Sequence, residues 1–307
     1  MTEITAKMVA ELREKSGAGM LDCKKMLVEA KGDVEVAMDL LRKKGLASAA
    51  KKSGRAAAQG LVSVASAGTF AVVLELNAET DFVSRNDQFQ KFLNDVSELA
   101  LKGKIDTVEN LKAAQLEGKT VELNLQGLIA TVGENMNLRR LQALSVGQGV
   151  VATYMHNALL PNRGKIGVLV ALESAGDKEK LSALGRQLAM HIAATRPESL
   201  DVANLSKDLI ARERAVYADK AAKSGKPPEI VEKMVEGSLR KYYEQVVLLE
   251  QTFVIDGETK ISAVLQNAAK DVGAPVKLTG FVRYELGEGV EKKEGDFAAE
   301  VAKMAHG

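Results

Sequence analysis

A pattern of strand, turn, strand and helix occurs twice along the chain, and this repetition constrains the fold more than any other feature. The first copy runs Gly60-Leu61-Val62-Ser63-Val64, a turn, the apolar run Phe70 to Leu76, then a helical stretch from Phe89 to about Lys102. The second runs from Gly149 to Tyr154, a longer turn, Ile166 to Leu172, then a helix from Lys178 to about Thr195. Apolar residues at 89, 92, 93, 96 and 99 lie on one helix face, whereas the strands before them are short and β-branched. Hairpin plus helix, twice, predicts an α+β fold whose core has two halves, each an antiparallel sheet with helices on one face. A further strand, Lys277 to Glu285, is expected to complete the second sheet.

The flanking segments differ in character. Ile4, Met8, Val9 and Leu12 mark one short amphipathic helix, Met20 to Ala30 a second, and Val34, Ala37, Met38 and Leu41 a third. Ser16-Gly17-Ala18-Gly19 separates the first pair, Gly32-Asp33 ends one helix and caps the next, and Gly45 is expected to stop the third. The Ala/Ser/Lys/Gly stretch that follows reads as a linker. Within the second half, 206–224 and 228–248 read as two helices joined by Ser224-Gly225-Lys226-Pro227-Pro228. Leu209, Val216, Ile230, Met234, Leu239, Tyr242 and Val246 give them a narrow apolar seam, the mark of a protruding antiparallel helical hairpin. Phe297, Val301 and Met304 share one side of a short C-terminal helix. The expected boundaries are an N-terminal helical module at 1–45, a linker at 46–59, core halves at 60–142 and 143–290 with the hairpin inserted at about 206–248, and a C-terminal module at 291–307.

No apolar run approaches the roughly 18 residues of a membrane span, and the first residues carry no secretory signal, so a cytoplasmic chain with no membrane partner is expected. One cysteine, Cys23, cannot form an internal disulfide and fits a helix core better than a nucleophilic role. The net charge of +1 argues against a coat for nucleic acid. Charge is uneven, however. From Leu40 to Leu74 there is no acid, while Arg42, Lys43, Lys44, Lys51, Lys52 and Arg55 supply bases. That strip is either a solvated linker or a contact for RNA or an acidic partner, as in a ribosome- or RNA-associated protein; no aromatic residue interleaves it for base stacking.

Catalytic chemistry has little foothold. There is no P-loop, Gly17-Ala18-Gly19 follows a helix where a dinucleotide fingerprint needs a strand, and three scattered histidines with one cysteine make no zinc site. His191, beside Met190 and Ile192, reads as a core histidine; His156, after the strand ending at Tyr154, is expected at a turn. No enzyme, cofactor or metal is expected. The unusual segment is Glu79-Thr80-Asp81-Phe82-Val83-Ser84-Arg85-Asn86-Asp87, which sets an aromatic and a β-branched residue in a polar strand-to-helix loop. Either it is a probe aimed at another molecule, or Phe82 or Val83 is a staple tucked under the helix that starts at Asn86 or Asp87.

Several of these segments resemble bacterial translation elongation factor Ts. They are Leu12 to Lys25, Thr80-Asp81-Phe82-Val83, Gly133-Glu134-Asn135-Met136-Asn137-Leu138-Arg139-Arg140, and Asp296-Phe297-Ala298-Ala299-Glu300-Val301, in the family's order from end to end. The resemblance implies a guanine-nucleotide exchange factor for elongation factor Tu, with a ubiquitin-associated-like N-terminal module, two-part core, helical hairpin and C-terminal module. It implies that Phe82 is a wedge, that Asp81 disturbs the partner's Mg²⁺ site, and that Thr80 and Val83 complete that loop. It also implies partner contacts at Arg13, Met20, Leu21, Lys24, Val132, Gly133, His156, Val254, Phe297 and Val301. The chain itself is then expected to bind no nucleotide. Some relatives use the hairpin for self-association, which this sequence permits and does not require. Two departures stand out: Ala78 replaces a cysteine common in relatives, and Ala158-Leu159-Leu160-Pro161-Asn162 is expected to lengthen the turn after His156.

Overall fold

The computed structural model describes residues 4–290, so the expected tail helix with Phe297 and Val301 lies outside the described residues. Within them the chain divides into two units, one of residues 4–63, 74–141 and 285–290, the other of 64–73 and 142–284. Helix and strand are mixed in the α+β manner that the repeat predicts.

The first unit opens with α1 (Ala6–Ser16), α2 (Met20–Glu29) and α3 (Val34–Lys52). Thr5 Oγ1 accepts from the Met8 amide at 3.3 Å, and Asp33 Oδ1 accepts from Glu35 and Val36 at 2.9 and 3.0 Å, so two of the three helices begin on a side-chain cap. Leu12, Cys23, Leu27 and Ala37 are fully buried and close a small core with Val9 and Ala30. Met20, which periodicity alone would let into that core and the resemblance puts outside it, is 56% exposed; the buried pattern of α2 begins at Cys23.

The chain continues through β1 (Gln59–Ser66), β2 (Phe70–Ala78), α4 (Asp87–Gly103), α5 (Val108–Ala113), the short strands β3 (Gln115–Leu116) and β4 (Lys119–Thr120), α6 (Val121–Val132) and β5 (Met136–Ser145). Phe89, Phe92, Leu93 and Val96 of α4 are buried, as the 3.6 spacing marks out, while Leu99 is half-buried and Ala100 takes the innermost place in the last turn. In this unit the strands run in the order β5-β2-β1. Gly45 does not stop α3. The helix runs on to Lys52, so 46–52 of the expected linker is helical. A Cβ at Gly45 would lie 3.2 Å from the Ala130 Cβ, and α3 packs on α6. The glycine serves that close approach, and tertiary packing overrides its weak helix propensity.

The second unit holds β6 (Gly149–Leu160), β7 (Arg163–Glu173), α7 (Lys178–Thr195), α8 (Lys207–Ala222), α9 (Pro228–Val246), α10 (Ile261–Val272) and β8 (Lys277–Glu285), which pairs with β7. The sequence places the turn after Tyr154, but β6 and β7 pair antiparallel from Gly149↔Glu173 out to Leu160↔Arg163. Only Pro161 and Asn162 turn. A bulge between Ala158 and Leu160, beside Asn157 at φ 50°, re-registers the ladder and lets both strands run on. His156 therefore sits in a strand opposite Ile166, not at a turn. Leu181, Leu188 and Ile192 of α7 join Val168, Val170 and Leu172 of β7 in the core.

The helical hairpin has its own apolar cluster of Ala221, Val235 and Leu239 with Tyr217, Ala218, Val231, Met234 and Tyr243. Met234 and Leu239 sit in it as expected. Leu209, Val216 and Ile230 are exposed instead. With Met234 and Leu239 kept, the seam differs locally: Tyr217 packs in it in place of Val216, Val231 in place of Ile230, and Tyr243 beside the half-buried Tyr242. That turns the tyrosine rings inward, and their apolar bodies offer more area than a valine.

Candidate functional site

The loop between β2 and α4 is built to hold one apolar side chain out of the fold. A single 3-10 turn, Phe82–Arg85, follows β2, and α4 then starts on Asn86, whose Oδ1 accepts from the Gln88 and Phe89 amides at 3.0 and 3.1 Å. Ser84 Oγ donates to the Asp81 carbonyl at 2.5 Å, and Gln90 Nε2 donates to the Ser84 carbonyl at 2.9 Å. These bonds make the turn locally self-sufficient. Val83 is buried, while Phe82 beside it is 80% exposed. Of the two apolar residues that the loop offers, Val83 turns into the fold and Phe82 turns out. Asp81 is exposed next to the ring.

The base of the loop is tied to the segment between α6 and β5. Gly133 ends α6 at φ 91°, and Glu134 follows it. The Thr80 amide donates to Glu134 Oε2 at 2.9 Å and the Thr80 hydroxyl donates to Glu134 Oε1 at 2.7 Å. In return the Asn135 amide donates to Glu79 Oε1 at 2.5 Å, and Asn135 Nδ2 donates to the Arg55 carbonyl at 2.7 Å. One strand floor lies below. Glu75, fully buried on β2, accepts from Arg139, Arg140, Asn77 and the Gly287 amide. Burial alone would raise its pKa, but the Gly287, Asn77 and Arg140 bonds together hold it below the usual glutamate value. The sequence marks Glu79 and Glu134 only as members of motifs; nothing local says that they bond across more than fifty residues.

The other site residues fall in separate places. Arg13, Met20, Leu21 and Lys24 are all exposed on α1 and α2, with Leu21 75% exposed. Val132 is half-buried at the end of α6, next to Gly133 and the Glu134 tie. In the second unit His156 is exposed, its Nδ1 lying 3.2 Å from the Tyr154 hydroxyl. Val254 is also exposed there, and its amide donates to His191 Nδ1 at 3.2 Å. Since an amide only donates, Nδ1 accepts, and Nε2–H donates to Gln251 Oε1 at 2.9 Å. His191 is fully buried, as a core histidine should be.

Burial lowers the His191 pKa, outweighing the opposing Gln251 bond. The unfolded chain then takes up this proton first as pH falls. Stability is full above about 6.5, declines between 6.5 and the lower folded value, and levels off beneath it. Protonating Nδ1 also sets two N–H groups face to face at Val254. The urea midpoint should therefore drop more between pH 7.5 and 5.5 in the parent than in His191→Gln; an equal drop would place the titration elsewhere.

The basic strip lies on α3 and just beyond it. Arg42 pairs with Asp39 at 3.9 Å, Lys44 with Asp22 at 2.6 Å and Arg55 with Glu79 at 3.3 Å, so part of its charge is spent within the fold. Among the described residues no group of three or more His, Cys, Asp or Glu is placed to hold a metal, and no helix is long and apolar enough to cross a membrane.

Residues 79–288 match the family model described as elongation factor Ts. Relatives carrying that name include one from Rhodospirillum centenum, 64% identical over 99% of this chain and 100% of its own length. Another, from Rhodospirillum rubrum, is 60% identical over 98% of each chain. One from Allorhizobium ampelinum is 54% identical over 100% of both.

Proposed function

The chain belongs to the elongation factor Ts family, and from that premise we propose that this translation elongation factor is a guanine-nucleotide exchange factor for elongation factor Tu. The observation that carries the reading is Phe82, 80% exposed beside a buried Val83. A large aromatic held in water loses solvation free energy that an apolar pocket returns, roughly 2 kcal/mol or more for a ring at the centre of an interface. Asp81 is the neighbouring carboxylate. Presented to the GTPase near its nucleotide, it competes for the polar contacts around Mg²⁺. Mg²⁺ bridges the phosphates to the protein, so disturbing its few ligands loosens the diphosphate without touching the base.

Arg13, Met20, Leu21 and Lys24 supply a second contact, with Met20 and Leu21 as its exposed apolar pair. Val132, Gly133, His156, Val254, Phe297 and Val301 are further partner contacts in this reading. The factor works by binding energy alone, forms no covalent intermediate, takes no cofactor and holds no nucleotide. Coupling is reciprocal: the factor by which it weakens GDP binding is the factor by which GDP weakens its own. Incoming nucleotide therefore resolves the complex. Its place of action is the cytoplasm, and the exposed Leu209, Val216 and Ile230 of the hairpin offer a surface for weak self-association. The test is release of fluorescent GDP from elongation factor Tu, which the chain should accelerate and buffer should not.

A further inference from the structure

We propose that Glu134 and Glu79 form a clasp that positions the Asp81-Phe82 wedge, with Glu134 the residue on which the wedge's aim depends. The inference rests on the exchange reading and adds to it two positioning residues that need not touch the partner.

The geometry is reciprocal. Glu134 accepts both the amide and the hydroxyl of Thr80, at 2.9 and 2.7 Å, while Glu79 accepts the Asn135 amide at 2.5 Å. Each carboxylate thus satisfies the backbone of the residue that follows the other. Together they join two chain segments more than fifty residues apart, immediately before Asp81. Bonds to a carboxylate are the stronger class, and the directionality of the amides fixes the loop's orientation as well as its position. Glu79 is also held by Arg55 at 3.3 Å, so one side of the clasp is braced independently. Glu134 has no such brace from an ion pair among the described residues.

A clasp is needed because of what lies beyond it. The 3-10 turn that carries Phe82 is held on its C-terminal side by the Gln90–Ser84 bond, the Asn86 cap and the buried Val83, and the clasp is what holds its N-terminal side, Thr80 and Asp81. An exposed aromatic that must enter a pocket loses conformational freedom on binding, and a wedge already aimed loses less. Release of Glu134 would leave the turn anchored to α4 but free its N-terminal arm, so that Asp81 and the Phe82 backbone lose their fixed direction. The loss then appears in the step that needs the wedge, while the broader contact surface still binds.

Glu134→Ala should lower the maximal rate of GDP release at saturating factor roughly ten-fold, about the rate equivalent of one lost hydrogen bond to a charged group. The concentration for half-maximal effect should stay within about two-fold, because the N-terminal face is untouched. Glu134→Gln should restore most of the rate. Its amide can donate to the Thr80 hydroxyl, which then acts as acceptor, while its oxygen keeps the Thr80 amide. Thr80→Val removes the hydroxyl arm alone and serves as a second variant if Glu134→Ala does not fold. In a Phe82→Ala background Glu134→Ala should add nothing further, since it acts through that ring.

A readout independent of exchange comes from the chain's lack of tryptophan. Phe82→Trp places a single fluorophore on the wedge, and its anisotropy in the free protein should fall when Glu134→Ala is added. Unchanged anisotropy, or a Glu134→Ala loss that multiplies with Phe82→Ala, overturns the clasp. If the parent itself fails to accelerate GDP release, the exchange reading fails, and the anisotropy alone decides whether the clasp holds the loop.

Discussion

Phe82→Ala is expected to reduce the maximal stimulation of GDP release about thirty-fold while leaving the unfolding midpoint unchanged. The two halves of that expectation come from one number. A side chain that is 80% exposed contributes little to the fold, so its truncation should fall within about 0.5 kcal/mol of neutral. The same exposure leaves its apolar area free for a partner, and truncating a central aromatic anchor costs about 2 kcal/mol or more, which is some thirty-fold in rate. Val83→Ala should behave in the opposite way. Its side chain is buried, so the change should lower stability by about 1–2 kcal/mol and affect exchange only through loosening of the loop. Stopped-flow release and a urea melt on both variants separate the roles. A Phe82→Ala protein that melts early but exchanges normally would reverse the assignment.

Gly149→Ala is expected to be the most damaging small substitution in the second unit. Gly149 adopts φ 131°, a region open essentially to glycine alone, and an added Cβ would lie 2.0 Å from the Leu172 carbonyl oxygen. That oxygen belongs to the β6–β7 ladder and cannot rotate away. The strain and the clash together should cost about 3 kcal/mol or more, a large part of a typical folding stability. Gly60 repeats the arrangement in the first unit, at φ 118° and 2.2 Å from the Leu76 carbonyl oxygen. The two glycines open the two copies of the repeated hairpin, so the same backbone solution is used twice. Gly147→Ala is the control: it is exposed, its φ is ordinary, and nothing lies within 4 Å of an added Cβ. Equal urea midpoints for Gly149→Ala and Gly147→Ala would remove the steric account.

The elements that sequence placed well are those whose burial is decided within a few residues. The α4 face, the cap at Asp33 and the strand from Phe70 each carry their signal locally. The differences arise where a distant partner decides. Gly45 looks like a helix stop because only Ala130, far along the chain, explains why a glycine should sit inside α3. His156 looks like a turn residue because the bulge near Ala158 that prolongs the ladder has no local mark in the sequence. On the hairpin, valine and tyrosine one position apart compete for the same seam, and periodicity cannot rank them. The same holds for the wedge loop. Its composition shows that one apolar residue is unusual, but not that Val83 turns in and Phe82 turns out. The Glu79 and Glu134 clasp is a non-local pairing, visible only once β2 and the start of β5 are side by side.

The most direct measurement is the rate of fluorescent GDP release from elongation factor Tu at fixed Mg²⁺, followed as the parent chain is titrated in. A saturable acceleration of roughly 100-fold, toward the upper end of the range that coupled binding sites show, is the predicted result. A release rate that stays at the buffer value across the titration would contradict the exchange function, whatever the fate of the individual residues.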